Sequence, residues 1–246
     1  MRSERMVAGG RAGGARQVGV LTVASAALVL GGCSGGVLAP ASPEAELITA
    51  IGWFMFVVSG VVFGIVLAML IWALVRGRRE RDPGSSGVGV VVLGGVVLPL
   101  LLLPILWLIS LPAMADLADP GEPIDIEVEI TGRQWSYEVR YPGHDVEVRD
   151  QLRLPIDERV LLRLTSADVI HSFWVPELGG KRDMIPGTVN EISFRPTRAG
   201  TFTARCAEFC GVGHAAMTMQ VVVEPREDLE AWLSEQAAAP TGSAPP

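Results

Sequence analysis

Residues 206–217 read Cys-Ala-Glu-Phe-Cys-Gly-Val-Gly-His-Ala-Ala-Met, which is the chemically most distinctive stretch of the chain. It places two thiols, an imidazole and a thioether within 12 residues. Strand-like patterns flank it, Gly200–Ala204 before and Thr218–Val223 after. The stretch is therefore predicted to be a loop that joins two β-strands and gathers donors for a metal ion.

A further donor, His171, lies 35 residues before Cys206. Thiolate, imidazole and thioether ligands together favour copper over hard cations. A single-copper electron-transfer site uses two His, one Cys and a weak Met, and this chain offers that set with one additional Cys. Two thiolates in one loop can bridge two metal ions, each of which also binds one His. A Cys206–Cys210 disulfide and a zinc site remain as alternatives.

The region around this loop, residues 116–225, has the pattern of a small β domain. Short alternating segments are separated by Pro and Gly turn signals, which is typical of a Greek-key sandwich or barrel. A short helix is predicted at 226–236, and the Ala- and Pro-rich tail 237–246 is predicted to be disordered. The remaining strand candidates are Ile124–Ile130, Trp135–Tyr141, Val160–Thr165 and Glu191–Phe194.

Two long apolar runs precede the β domain. Residues 47–75 and 83–115 contain no charged side chain over 29 and 33 residues, more than the roughly 20 that span a bilayer. We predict transmembrane helices at 47–75 and 88–113, with Pro99 and Pro104 as kink sites in the second. The connecting loop 76–87 carries four Arg, which places it in the cytoplasm and the β domain on the outer face.

The amino terminus has the pattern of a bacterial lipoprotein signal. Four Arg precede an apolar segment at Val18–Leu30, which is too short for a usual spanning helix and ends in Gly-Gly-Cys-Ser. We predict a signal peptide over residues 1–32, lipidation of Cys33, and a lipid-anchored linker at 33–46. An uncleaved signal anchor is the alternative.

Charge is divided unevenly along the chain. The net charge is −7, but residues 116–246 contain 22 acidic and 12 basic side chains. This acidic half would repel phosphates, so a nucleic-acid partner is excluded, whereas a basic protein partner fits.

The motif Cys206-x-Glu208-x-Cys210-x3-His214-x2-Met217, with His171 upstream, resembles the dinuclear CuA site of cytochrome c oxidase subunit II, a family of the haem–copper oxidases. The resemblance implies a two-helix transmembrane hairpin followed by an all-β cupredoxin-like Greek-key domain. It implies that both Cys bridge two copper ions, that His171 and Met217 complete one copper, and that His214 and the Glu208 carbonyl complete the other. The Glu208 side chain would face a Mg²⁺ shared with subunit I.

The resemblance also implies a function and partners. Gln134-Trp135 resembles the aromatic patch where the family accepts electrons from cytochrome c, so Trp135 would be the residue where electrons enter. The subunit would pass them to the haem of subunit I. Oxygen would be reduced to water there, coupled to proton translocation. The chain departs from the family at Trp135-Ser136-Tyr137, where the family usually has Trp-x-Trp, and it lacks the acidic residue often found before Pro99.

Two other classes of protein remain possible. A quinol-oxidase subunit II has the same fold without copper, and the complete donor set argues against it. A membrane-tethered cupredoxin or copper chaperone would act outside an oxidase, but such proteins seldom carry a two-helix hairpin and need no second bridging Cys.

Overall fold

The computed structural model describes residues 36–76, 87–118 and 121–238. The predicted signal peptide, the lipidation site Cys33, the Arg-rich loop over 77–86 and residues 239–246 of the predicted tail lie outside the described residues. By its contacts the chain divides into Met1–Gly36 and Val37–Pro246, and the second unit contains all the elements described below except the start of a short 3₁₀ turn at Gly36–Leu38.

Helix α1 spans Pro43–Arg76 and begins four residues before the predicted uncharged run. The reason is a strong helix start. The Ser42 hydroxyl accepts a hydrogen bond from the Ala45 N–H at 3.1 Å, Pro43 suits the first helical position, and Glu44 favours the positive end of the helix dipole.

The second apolar run forms α2 (Val88–Val92), a π-helical turn at Leu93–Val97, and α3 (Leu98–Ala118). Kinks were predicted at Pro99 and Pro104. The π-helical turn ends two residues before Pro99, and α3 includes Pro104 within its helix. A proline ring clashes with the carbonyl four residues earlier, here Gly95, and the wider π turn at that point relieves the clash.

Both helical stretches, Pro43–Val75 and Val88–Leu117, are long and apolar enough to cross a membrane, and neither apolar stretch is buried within the chain. The β domain that follows has ten strands in two five-stranded sheets, ordered β3-β2-β1-β5-β8 and β4-β10-β9-β6-β7. The predicted fold class, a two-helix hairpin followed by an all-β Greek-key domain, is confirmed. The strands are β1 Ile126–Arg133, β2 Ser136–Tyr141, β3 Val146–Arg149, β4 Gln151–Pro155, β5 Val160–Ser166, β6 His171–Trp174, β7 Arg182–Met184, β8 Asn190–Phe194, β9 Gly200–Cys206 and β10 Thr218–Glu224.

The alternation of side chains along the strands builds the core. In β5, Val160, Leu162 and Leu164 are fully buried, and β1 contributes Val128 and Ile130 from the neighbouring parallel strand. Helix α4 (Arg226–Ala238), which extends two residues beyond the predicted helix, closes the sandwich by burying three side chains: Leu229, Trp232 and Leu233.

A buried ion-pair cluster joins the start of α1 to the β domain. The Arg159 guanidinium donates to the Glu44 carboxylate and, at 2.7 Å, to Glu122. Arg159 and Glu44 have only 5% and 10% of their side chains exposed. Arg195 donates to Glu122 at 2.6 Å, so the segment after α3 is held by the same cluster.

We expect Arg159→Gln to destabilise the β domain by about 3 kcal/mol, because it leaves the buried Glu44 carboxylate without its partner. Thermal unfolding of the full chain in detergent, followed by circular dichroism, measures the loss. The matched control is Arg163→Gln, which removes an exposed pair with Glu127 and is expected to change the melting temperature little. Equal effects of the two substitutions would contradict the importance of the buried cluster.

Candidate metal centre

The sheet order brings His171 to the loop at residues 206–217. Strand β6, which begins at His171, pairs with β9, which ends at Cys206, and Phe173 lies opposite Cys206 in the register. The Cys206 N–H donates to the Met217 carbonyl at 3.1 Å, which closes the neck of the loop. Residues far apart in sequence therefore meet at one end of the sandwich.

Six potential donor atoms lie together at this end of the sandwich, and two of them are the thiol sulfurs. The Cys206 and Cys210 sulfurs are 3.7 Å apart. His171 Nδ1 lies 4.0 Å and the Glu208 carbonyl oxygen 3.1 Å from the Cys206 sulfur. The other two atoms surround the Cys210 sulfur, each at 3.8 Å: His214 Nδ1 and Met217 Sδ.

Both thiols are free and buried. Their sulfur separation of 3.7 Å is far longer than the roughly 2.05 Å of a disulfide bond. Burial, together with the neighbouring Cys206, raises the pKa of Cys210 to about 11, so this thiol is protonated at neutral pH. A bound metal ion would have to displace that proton.

The orientation of His171 is set by Asp168 and Gly132. The imidazole Nε2 lies 2.8 Å from an Asp168 carboxylate oxygen, and a proton donated there leaves Nδ1 free to face the sulfurs. Burial acts to raise the pKa of Asp168, but hydrogen bonds from His171 and from two backbone N–H groups lower it below its usual value. On the other side, a Cβ added to Gly132 would lie 2.9 Å from the imidazole ring.

Trp135 lies directly against the ligand loop. Its side chain is 41% exposed, so it is neither a core residue nor free in solvent. A Cβ added to Gly213 would lie 2.3 Å from the indole ring, and Gly211 packs against the same ring with φ of +121°. Both glycines are therefore required for this close approach.

Glu208 has a different environment from the other sequence-predicted site residues. Its carboxylate forms an ion pair with the Lys181 ammonium, which also lies 3.5 Å from Asp183. The backbone carbonyl of Glu208 points to Cys206, whereas its side chain points away from the sulfurs to this exposed pair.

Two residues that shape the site, Asp168 and Gly132, are not predicted from the sequence. For Gln134 the sequence predicts a place beside Trp135 in the aromatic entry patch but not its hydrogen bonds. Asp168 stands three positions before His171, a spacing that a tight turn can use to bring the two together. Gln134 connects both sides of the site through its backbone and side chain. Nothing in the sequence alone distinguishes Gly132 from the other glycines.

The loops at this end also expose apolar side chains. Phe209 and Val212 of the ligand loop are 80% and 94% exposed, and Val169 and Ile170 beside His171 are 38% and 49% exposed. Single exposed apolar residues are ordinary, but several close to one site are typical of a surface that meets another protein.

Comparisons with known proteins point to one family. A sequence profile of the periplasmic domain of cytochrome c oxidase subunit II matches residues 138–225, which include His171 and the whole ligand loop. The chain is 29% identical over 227 residues to cytochrome c oxidase subunit 2 of Alkalihalophilus pseudofirmus, covering 86% of this chain and 66% of that protein. It is 39% identical over 140 residues to an alternative cytochrome c oxidase subunit 2 of Bradyrhizobium diazoefficiens, covering 45% and 50%.

A third relative is quinol oxidase subunit 2 of Bacillus spizizenii. The identity is 30% over 233 residues, which cover 88% of this chain and 71% of that protein. The matches to the first two relatives thus span less than two thirds of those proteins, whereas the third is matched over most of its length.

We expect Gly132→Ala to weaken copper binding about tenfold or more, because the new methyl group displaces the His171 imidazole. Competition against a chelator of known affinity measures the change. Gly143→Ala is the matched control, since a Cβ at Gly143 meets no atom within 4 Å. An unchanged affinity in Gly132→Ala would show that the position of His171 does not determine binding.

Proposed function

Since the chain belongs to the cytochrome c oxidase subunit II family, we propose that it accepts electrons from cytochrome c at a copper centre and passes them to the haem of oxidase subunit I. The complex would reduce oxygen to water, coupled to proton translocation. The observation that carries this proposal is the convergence of His171, Cys206, Cys210, His214 and Met217 around two adjacent buried sulfurs.

The donor set fits copper better than zinc. A structural zinc ion takes four ligands in a tetrahedron, which the two Cys and two His alone would satisfy. Here the Met217 thioether, only 1% exposed, and the Glu208 carbonyl approach the same sulfurs, which makes six donors. Two thiolates, two imidazoles, a thioether and a carbonyl would suit a pair of copper ions, which Cys206 and Cys210 would hold between them.

Such a copper pair would take up and release one electron at a time. The protein's part is to hold the ligands still, so that little rearranges when the charge changes. The strands β6, β9 and β10 fix the positions of His171, Cys206 and Met217, and burial keeps water from the sulfurs. In the proposed ligand assignment, His171 and Met217 would hold one copper, and His214 and the Glu208 carbonyl would hold the other.

Trp135 is the proposed point at which electrons enter. Its ring is partly exposed to a partner on one side and packs on the ligand loop at Gly211 and Gly213 on the other. The exposed apolar side chains nearby, including Val212 and Ile170, would exclude water from a docked cytochrome. The net negative charge of residues 116–246 would attract a basic cytochrome from a distance.

Two rival functions are less well supported. A quinol-oxidase subunit needs no copper ligands, yet this chain has the full set. A tethered cupredoxin or copper chaperone has no use for two spanning helices whose apolar surfaces lie unburied in the chain. Those surfaces suit lipid and a larger membrane partner, which we propose to be oxidase subunit I.

The proposed location is the bacterial cell membrane, with two helices spanning it and the copper domain on the outer face, anchored further by lipid on Cys33. The proposal also includes a Mg²⁺ between the Glu208 side chain and subunit I. The Glu208 carboxylate is already paired with Lys181, so Mg²⁺ would have to displace that ammonium.

We expect Trp135→Gln to keep its copper but to be reduced by cytochrome c roughly 100-fold more slowly, as a displaced reacting group typically is. Copper content, thermal stability and single-turnover reduction are measured on the same preparation of the full chain. Salt dependence should persist, because the acidic side chains are unchanged.

The control for Trp135→Gln is Val189→Gln, which removes another exposed apolar side chain, at a position 54% exposed. If Trp135 instead serves mainly to hold the ligand loop in place, its loss should lower the melting temperature and release copper. A variant that folds, keeps copper and is reduced by cytochrome c at the original rate would contradict the proposed role.

A further inference from the structure

We propose that Gln134 is a positioning residue that holds the Trp135 ring at a fixed distance from the ligands. It does so by contacts to both sides of the site, where Cys210 and His171 lie. The proposal rests on the proposed function, since it assumes that electrons reach the site through Trp135. Gln134 precedes Trp135 in the β1–β2 loop and makes one hydrogen bond to each side of the metal centre.

The first hydrogen bond joins Gln134 to the ligand loop. Its side-chain Nε2 donates to the Cys210 carbonyl oxygen at 2.8 Å, in a partly buried position. A Cβ on Gly211 would lie 3.1 Å from the same nitrogen, so the amide packs closely over the loop as well as bonding to it. A shift of the Gln134 side chain would therefore remove this hydrogen bond from the carbonyl of Cys210, a proposed bridging ligand.

The second hydrogen bond joins Gln134 to His171 through Asp168. The Gln134 backbone N–H donates to one Asp168 carboxylate oxygen at 2.7 Å, and the other oxygen lies 2.8 Å from His171 Nε2. Gln134 thus contacts Cys210 through its side chain and is linked to His171 through its backbone N–H and the Asp168 carboxylate.

Gln134 and Trp135 together form a bracket, a pair of neighbouring residues that contacts the ligand loop. Trp135 contributes by packing onto Gly211 and Gly213. The indole ring has no room to move toward the loop, because a Cβ on Gly213 would already overlap it. The hydrogen bond from Gln134 to Cys210 prevents movement in the opposite direction, away from the loop. The distance between the ring and the ligands is therefore fixed from both sides.

This distance matters because electron transfer falls steeply with separation. In the proposed function one electron would leave a reduced cytochrome haem and the copper held by these residues would gain it, with no bond formed or broken and no proton moved. The contribution of Gln134 is to the rate of that transfer, whereas docking depends on the surface around Trp135. Loss of Gln134 should therefore lower the maximal rate more than it changes the KM for cytochrome c.

The test compares Gln134→Met and Gln134→Glu with the unmodified full chain in detergent, loaded with copper. Met keeps the length of the side chain without the donor, and Glu keeps its shape but presents an acceptor to the Cys210 carbonyl. Arg133→Gln is the matched control. It changes the last residue of β1, at an exposed pair with Glu138, and leaves the ligand loop untouched.

We expect both Gln134 variants to keep their copper content and absorption spectrum. Reduction by cytochrome c should slow by about tenfold to 100-fold with an unchanged KM, as for a misplaced reacting group. Reduction by dithionite, a small reductant that need not pass through Trp135, should keep its rate. In the metal-free full chain, hydrogen exchange of residues 207–213 should be faster in the variants and unchanged in Arg133→Gln.

Three results would overturn the proposal: an unchanged rate with cytochrome c, an equal slowing with both reductants, or loss of copper from both variants. The last two would assign Gln134 a purely structural role in holding the ligands. If the unmodified chain binds copper but is not reduced by cytochrome c, the proposed function fails instead. The exchange of residues 207–213 then still decides whether Gln134 fixes the loop.

Discussion

The burial of Cys206 beside Cys210, with their sulfurs 3.7 Å apart, is the constraint on which the metal centre depends. Two thiolates this close in a low-dielectric site would repel each other strongly, so the arrangement is favourable with thiols or with cations between the sulfurs. The raised pKa of Cys210 expresses the same cost. The fold offsets this electrostatic cost in two ways. It closes the neck of the loop between β9 and β10, and it directs neutral donors, rather than carboxylates, at the sulfurs.

Strand β1 connects this site to the rest of the molecule. At its start, Asp125 accepts the Arg159 N–H at 2.7 Å, next to the buried cluster that includes Glu44 of α1. Near its end, Gly132 lies against His171, and the two residues that follow β1, Gln134 and Trp135, form the bracket across the ligand loop. β1 is paired on both sides over Glu129–Gly132, and such a strand is a suitable spacer between the membrane helices and a site that must not deform.

The donor residues of the metal centre could be predicted from the sequence more completely than the strands could. The fold class is confirmed because long uncharged runs and period-two alternation are strong signals. Four strands were not predicted. Val146–Arg149 and Arg182–Met184 are short and charged edge strands, Gln151–Pro155 ends in proline, and His171–Trp174 begins with two buried polar residues. Their pairing is decided by contacts across the sandwich, which local patterns do not contain.

The donor residues could be proposed from spacing alone, because chemically distinctive side chains cluster within one loop. The residues that orient them could not. Asp168, Gln134 and Gly132 are ordinary residue types whose roles arise from β1 passing beside β6 and the ligand loop. Glu208 also shows the limit of the resemblance, since its partner Lys181 becomes apparent only in three dimensions.

The most direct test of the central claim is electron paramagnetic resonance of the full chain loaded with copper, together with metal analysis. A pair of thiolate-bridged ions predicts two coppers per chain and one unpaired electron shared between them, with more hyperfine lines than a single copper nucleus permits. One copper per chain with a single-nucleus spectrum, or zinc bound in preference to copper, would contradict the account.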